Sequence, residues 1–136
     1  MSLTNEVDGL RIVSTGIVVE YSDSSSSLVT LTAVLRDYEV PVKVKIHFLL
    51  VAELTCKTVN FYESNYKNYS IVDNTGSPES RVSGFFQVQK SDLLASKIHL
   101  YDPKNRFGIK HFLVAGNDSY CEVLASKYTI EIEGGS

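Results

Sequence analysis

Hydrophobic and polar residues alternate with a period of two along most of this chain, the pattern of β-strands with one buried face. The clearest run is Val42, Val44, Ile46, Phe48 and Leu50, interleaved with Lys43, Lys45, His47 and Leu49. It predicts a long strand with one apolar face and one face that is polar for most of its length. Before it, Val29, Leu31, Ala33 and Leu35 alternate with Thr30, Thr32, Val34 and Arg36. The intervening Asp37-Tyr38-Glu39-Val40-Pro41 fits a hairpin connection. An N-terminal strand is expected over Leu10 to Tyr21, with Gly16 marking a bulge or a close backbone approach. Ser22 to Ser27, five serines and one aspartate, reads as an exposed loop.

Leu54 to Phe61, rich in Thr and Val, predicts a further strand. The alternation then stops. Tyr62 to Tyr69 alternates nothing, and Asp73 to Ser80 is turn chemistry throughout. Ser83 to Gln89 resumes strand character. Ser91-Asp92 resembles a helix cap, with Leu93, Leu94, Lys97 and Ile98 on one short face, so a helix is expected over Asp92 to His99, stopped by Asp102-Pro103. The strongest hairpin comes last. Lys110 to Ala115 and Tyr120 to Leu124 flank Gly116-Asn117-Asp118-Ser119, and the simplest register sets Val114 against Cys121 and Phe112 against Val123. Both faces of this pair are largely apolar, so it should be covered on both sides, with the short helix as the natural cover. Tyr128, Ile130 and Ile132 alternate with Thr129, Glu131 and Glu133 in a final edge-type strand.

About eight strands and one short helix, without β-α alternation, define the expected fold class: all-β, an antiparallel sandwich or flattened barrel. The 136 residues suit a single β domain over 1–133. The closing Gly134-Gly135-Ser136 and the opening Met1-Ser2-Leu3 read as non-native remnants. Hydrophobic residues at 43% and charged residues at 21% exclude disorder and coiled coil. A net charge of −3 argues against phosphate-driven nucleic-acid binding. The longest apolar stretch, Phe48 to Ala52, is far short of the roughly 18 residues of a membrane span. Neither a basic start nor an apolar stretch marks a signal peptide. A soluble, cytoplasmic protein is therefore expected.

No phosphate loop, dinucleotide fingerprint, nucleophile elbow or zinc-protease motif occurs. Cys56 and Cys121 lack neighbours at metal spacing and are expected to be reduced, with Cys121 buried beside Val114. The sequons at Asn68 and Asn117 matter only in a eukaryotic secretory route. His47 is expected to be solvated, and His99 to favour the end of the helix dipole. His111 is expected to pair with Glu122, while alternation sets it on the opposite face from Cys121. No catalytic residue, metal site or cofactor is assigned. The candidate partner-binding residues are Tyr62, Tyr66, Asn68 and Tyr69, a Tyr/Asn mix found in adaptable binding loops. The same tyrosine spacing would also serve a helical stripe packed on the sheet.

Ser83-Gly-Phe-Phe-Gln-Val-Gln, Ser91-Asp-Leu-Leu, Lys110-His-Phe-Leu-Val, Cys121-Glu-Val-Leu-Ala and Tyr128-Thr-Ile-Glu-Ile together have a strand-helix-strand-strand-strand cadence. From Ser83 to Ile132 this resembles small bacterial all-β proteins, some of them similar to polymorphic-toxin immunity proteins. Leu93-Leu94 stands where that pattern usually carries an aromatic. The resemblance implies a compact binding or neutralising protein, without catalysis, acting on a protein partner. The residues alone also leave open a small-ligand-binding β-barrel and, third, a small enzyme. Large core side chains (Phe48, Leu50, Phe86 and Phe112) would fill the space a ligand needs, which favours the interaction protein.

Overall fold

The structure, a computed structural model, describes residues 2–6, 10–22, 26–35, 42–58, 70–72, 84–116 and 119–133. Its strands are β1 (Ser2–Asn5), β2 (Leu10–Ser22), β3 (Ser26–Leu35), β4 (Val42–Lys57), β5 (Ser70–Val72), β6 (Gly84–Gln89), β7 (Lys110–Ala115) and β8 (Tyr120–Glu133). One helix, α1 (Asp92–Tyr101), lies between β6 and β7. The fold is all-β, and the strands form one sheet in the order β2-β3-β4-β8-β7-β6-β1-β5. Every neighbouring pair is antiparallel except β1 and β5, which run parallel.

The sheet curls until β2 touches β6. Its concave face gathers Ile12 from β2, Val44, Ile46 and Phe48 from β4, Phe85 from β6, Phe112 and Val114 from β7, and Val123 and Ala125 from β8. Four rings occupy the centre. Phe48, Phe85, Phe112 and Tyr128 lie 4.7 to 6.3 Å apart between centroids, several of them edge to face, the arrangement their quadrupoles prefer. Among the described residues all strands belong to one curled sheet, nearer to the expected flattened barrel than to the expected sandwich.

Several elements differ from the sequence expectation. Val42–Lys57 is one strand of 16 residues, not two. Leu50 takes a left-handed backbone, φ 56°, and the pairing with β8 shifts register between Val51 and Glu53. Those two irregularities break the alternation that would have shown continuity. Tyr120–Glu133 is likewise one strand; its first half, to Ala125, pairs with both β4 and β7, whereas Tyr128 to Glu133 pairs with β4 alone, in keeping with the edge-type pattern of those residues. Ser70–Val72, inside the expected long loop, pairs with β1. The opening residues take part in the fold: Leu3 is fully buried, opposite Val88. Glu6 continues the attachment, its N–H donating to the Phe85 carbonyl at 2.9 Å and its carboxylate accepting from the Tyr128 hydroxyl at 2.8 Å. The connections at Asp37–Pro41 and Asp73–Ser80, and the tail 134–136, lie outside the described residues.

Other expectations hold. The register of β2 on β3 shifts between Ile12 and Ile17, the span that contains Gly16. Val114 pairs with Cys121 and Phe112 with Val123. From His111 to Ala115 every residue of β7 is buried, as a strand covered on both faces requires. The outer face of this region packs Leu3, Phe86, Val88, Leu113, Ala115 and Tyr120 together.

Candidate functional site

The densest polar chemistry lies where α1 sits on the outer face of β4, β8 and β7. Ser91 is the helix cap: its backbone is extended, and its side chain accepts from the Leu94 N–H at 3.0 Å. That leaves the hydroxyl proton for a second partner. His111, only 1% exposed, supplies it, with Nδ1 2.6 Å from Ser91 Oγ. A Ser91 hydroxyl that donates to Nδ1 fixes the tautomer with its proton on Nε2. The Nε2 atom has no hydrogen-bond partner and faces Glu122 Oε1 at 3.8 Å.

Burial holds the His111 pKa down at about 4, against a smaller upward pull from the Glu53 charge. Burial also pushes Glu122 above the usual carboxylate range, with Lys57 opposing and Glu53 adding to the rise. At neutral pH His111 is therefore an uncharged, hydrogen-bonded core residue. The expected His111–Glu122 contact exists, but as a neutral histidine beside a half-buried acid. Alongside it, Glu53 accepts from Lys97 at 2.5 Å and from the Tyr101 hydroxyl at 2.9 Å, tying the far end of α1 to β4. The Lys97 bond lowers the Glu53 pKa more than burial raises it.

A serine, a histidine and a carboxylate in sequence invite comparison with a nucleophilic triad. The roles do not match. In that triad the serine bonds Nε2 and the acid bonds Nδ1; here the two ring nitrogens are exchanged. The Ser91 oxygen is committed to capping and is 8% exposed, so the arrangement docks a helix rather than presenting a nucleophile.

A second feature follows directly from α1. Asp102 ends the helix, its N–H donating to the Ile98 carbonyl. Its carboxylate, in a residue 3% exposed, accepts from the backbone N–H groups of Arg106 at 2.7 Å, Phe107 at 3.2 Å and Gly108 at 2.9 Å. Burial pushes this acid up, and the N–H groups of Phe107, Arg106, Gly108 and Ile109 outweigh it, so Asp102 stays ionised below the usual aspartate range. Left-handed backbone at Asn105 (φ 51°) and Gly108 (φ 63°) completes the turn, each a residue type that tolerates it. The Phe107 carbonyl accepts from the Ser126 hydroxyl, which fastens the loop to β8. Residues 103–108 are all exposed.

Cys56 and Cys121 face each other across β4 and β8, their sulfur atoms 3.2 Å apart as free thiols. Cys56 is exposed and Cys121 buried, and burial pushes the Cys121 thiol far up. His47 is half-buried opposite Thr129, and His99 is exposed in the last turn of α1. Tyr62, Tyr66, Asn68 and Tyr69 lie outside the described residues, as does Asn117. Among the described residues no three His, Cys, Asp or Glu side chains are grouped to hold a metal ion, and no helix is long and apolar enough to cross a membrane. Asp102 was legible only as a helix stop; Asn105 and Gly108, turn formers four and one residues from Ile109, were the available sign of an ordered loop.

Comparison with protein-family models, with curated proteins and with solved structures returned no match to this chain.

Proposed function

We propose that this chain is a non-catalytic binding protein that acts on another protein, an inhibitor of the immunity type being the particular form implied by the cadence of its C-terminal half. The observation that carries the reading is the aromatic centre. Phe48, Phe85, Phe112 and Tyr128 fill the concave face of the sheet, the space a ligand-binding barrel would keep open. The commitment of Ser91 to the helix cap supports the non-catalytic part. A cytoplasmic setting is part of the proposal, and the free thiols of Cys56 and Cys121 support it. Tyr62, Tyr66, Asn68 and Tyr69 remain proposed partner contacts on composition alone.

The test is photo-crosslinking in an extract of the source cells, followed by reconstitution with the purified candidate. A stoichiometric complex with one protein is expected. A small molecule that raises the melting temperature and shifts the ring resonances of Phe85 and Phe112, with no reconstituted complex, would overturn the reading in favour of a ligand-binding barrel.

A further inference from the structure

We propose that the loop Pro103–Gly108 is a docking surface for an acidic, apolar-bearing segment of a partner protein, with Phe107 as the anchor and Lys104 and Arg106 as the charges that flank it. The proposal rests on the protein-binding reading and adds the site and the chemistry of the partner.

Three observations converge on this loop. The first is rigidity. A buried, ionised Asp102 gathers three backbone N–H groups, and Ser126 fastens the Phe107 carbonyl. A loop so held loses little freedom when a partner arrives.

The second is what the rigid loop displays. Phe107 is 48% exposed, and nothing in the pinning requires its ring, because only its backbone takes part. Ser126 lies between Ala125 and Lys127, which pair with Lys110 of β7 and Leu49 of β4. Leu50, next along β4, is 42% exposed on a left-handed backbone. That backbone is costly for a leucine. The backbones of Phe107 and Leu50 are thus both brought alongside Ser126, and both residues are exposed.

The third is charge. From Lys97 to Lys110, both included, the chain holds four Lys or Arg residues and a single Asp, although the whole chain is net −3. The one acid is Asp102, turned inward. Lys97 is taken by Glu53, while Lys104, Arg106, Lys110 and Lys127 are exposed. The loop therefore sets the exposed cations Lys104 and Arg106 beside an exposed Phe107, a combination complementary to carboxylates flanking an aromatic or aliphatic side chain. Arginine is the cation best shaped to grip a carboxylate, and aromatic and Arg anchors dominate interface energetics. So few cations on an acidic protein suit a peptide better than an extended polyphosphate, whose affinity grows with each neutralised phosphate.

Selection of a random-peptide display library against the intact protein tests this, with affinities then measured by fluorescence anisotropy. The expected peptides carry Asp or Glu on both sides of an apolar residue, and they bind less tightly as salt rises. Phe107→Ser and Arg106→Glu should each weaken them by about tenfold or more. Lys43→Glu, on the exposed side of β4, should leave them unchanged. Unchanged circular dichroism of the loop variants confirms that the fold is intact. Selected peptides that are not acidic, or that bind both loop variants like the wild type, overturn the loop and leave the protein-binding reading standing. Self-association abolished by Phe107→Ser would reassign the surface to a second copy. Single-stranded RNA that binds the loop as tightly as the peptides would reassign it to nucleic acid. Failure to enrich any peptide, together with no reconstituted partner, sinks both proposals.

Discussion

Ser91 and His111, twenty residues apart in the chain, meet at 2.6 Å beneath the start of α1, and that single hydrogen bond joins a helix cap to the middle of the sheet. Replacing Ser91 with alanine removes the cap and leaves the imidazole without a partner. The expected loss is about 2–4 kcal/mol, the cap and the unpaired buried nitrogen together. Denaturant unfolding of Ser91→Ala measures it; a loss below about 1 kcal/mol would show that the bond contributes little beyond an ordinary surface cap.

The depressed His111 pKa makes a pH prediction whose sign is fixed. The unfolded histidine binds a proton near pH 6.5 and the folded one near pH 4. Stability from this group is complete above about pH 6.5, falls as the pH is lowered toward 4, and is then lost. Its size is roughly 3 kcal/mol. Glu122, held up by burial, works in the opposite direction, stabilising at low pH and less so as the pH rises. His111→Phe should remove the histidine share of the slope, so wild type and variant should converge in relative stability on acidification. Parallel pH profiles would contradict the assignment.

Leu3 reports on the N-terminal strand. Its side chain is fully buried against Phe86, Val88 and Leu113. Leu3→Ala is expected to cost about 2–5 kcal/mol, as for other buried leucines. Differential scanning calorimetry decides, and an unchanged midpoint would mean that β1 is dispensable.

The paired thiols predict a reactivity order. Cys56 is exposed and Cys121 is buried with a strongly raised pKa, so a thiol reagent should label Cys56 first and Cys121 only after unfolding. Their opposition in register and 3.2 Å sulfur separation predict that hydrogen peroxide joins them: two thiols and one peroxide give one disulfide and two waters. Intact mass and peptide mapping check the product. Overoxidation of Cys56 alone, with Cys121 still a thiol, would rule out the pairing.

Asp102 predicts a local effect. Asp102→Ala should free the amides of Arg106, Phe107 and Gly108, raise their hydrogen exchange, and open the chain to trypsin after Lys104 and Arg106. Acidification should do the same in the wild type only below the usual aspartate range, because the folded pKa is lowered. Protection of these amides in the variant equal to the wild type would dismiss the carboxylate as the pin.

The legible and the hidden parts of this fold separate on physical grounds. The β7–β8 pairing could be read residue by residue because the turn residues Gly116 to Ser119 fix the register of the two short runs they join. The length of β4 could not, because Leu50 and the shift at Glu53 turn the side-chain pattern over halfway along. β8 hid its continuity in the same way, with Ser126 and Lys127 interrupting two apolar runs. Ser91 was recognisable as a cap and His111 as a neighbour of Glu122. Their union depends on where α1 lands, which no local spacing encodes. The pin at Asp102 was hidden for a simpler reason: an aspartate before a proline marks the end of a helix whether or not its carboxylate turns inward.

The position of β8 has a consequence for how the chain is made. It joins two half-sheets, β2-β3-β4 on one side and β7-β6-β1-β5 on the other. Lys43, paired with Thr32 on one side, meets its partner on the other only at Glu133, far later in the chain. During synthesis the first hairpins can form as they leave the ribosome, but β4 keeps a bare hydrogen-bonding edge until the residues of β8 emerge. Pairing over such sequence distances is slow, and an uncovered strand edge invites wrong partners while it waits. Nascent chains halted before Tyr120 should therefore depend on chaperones in a way the released protein does not.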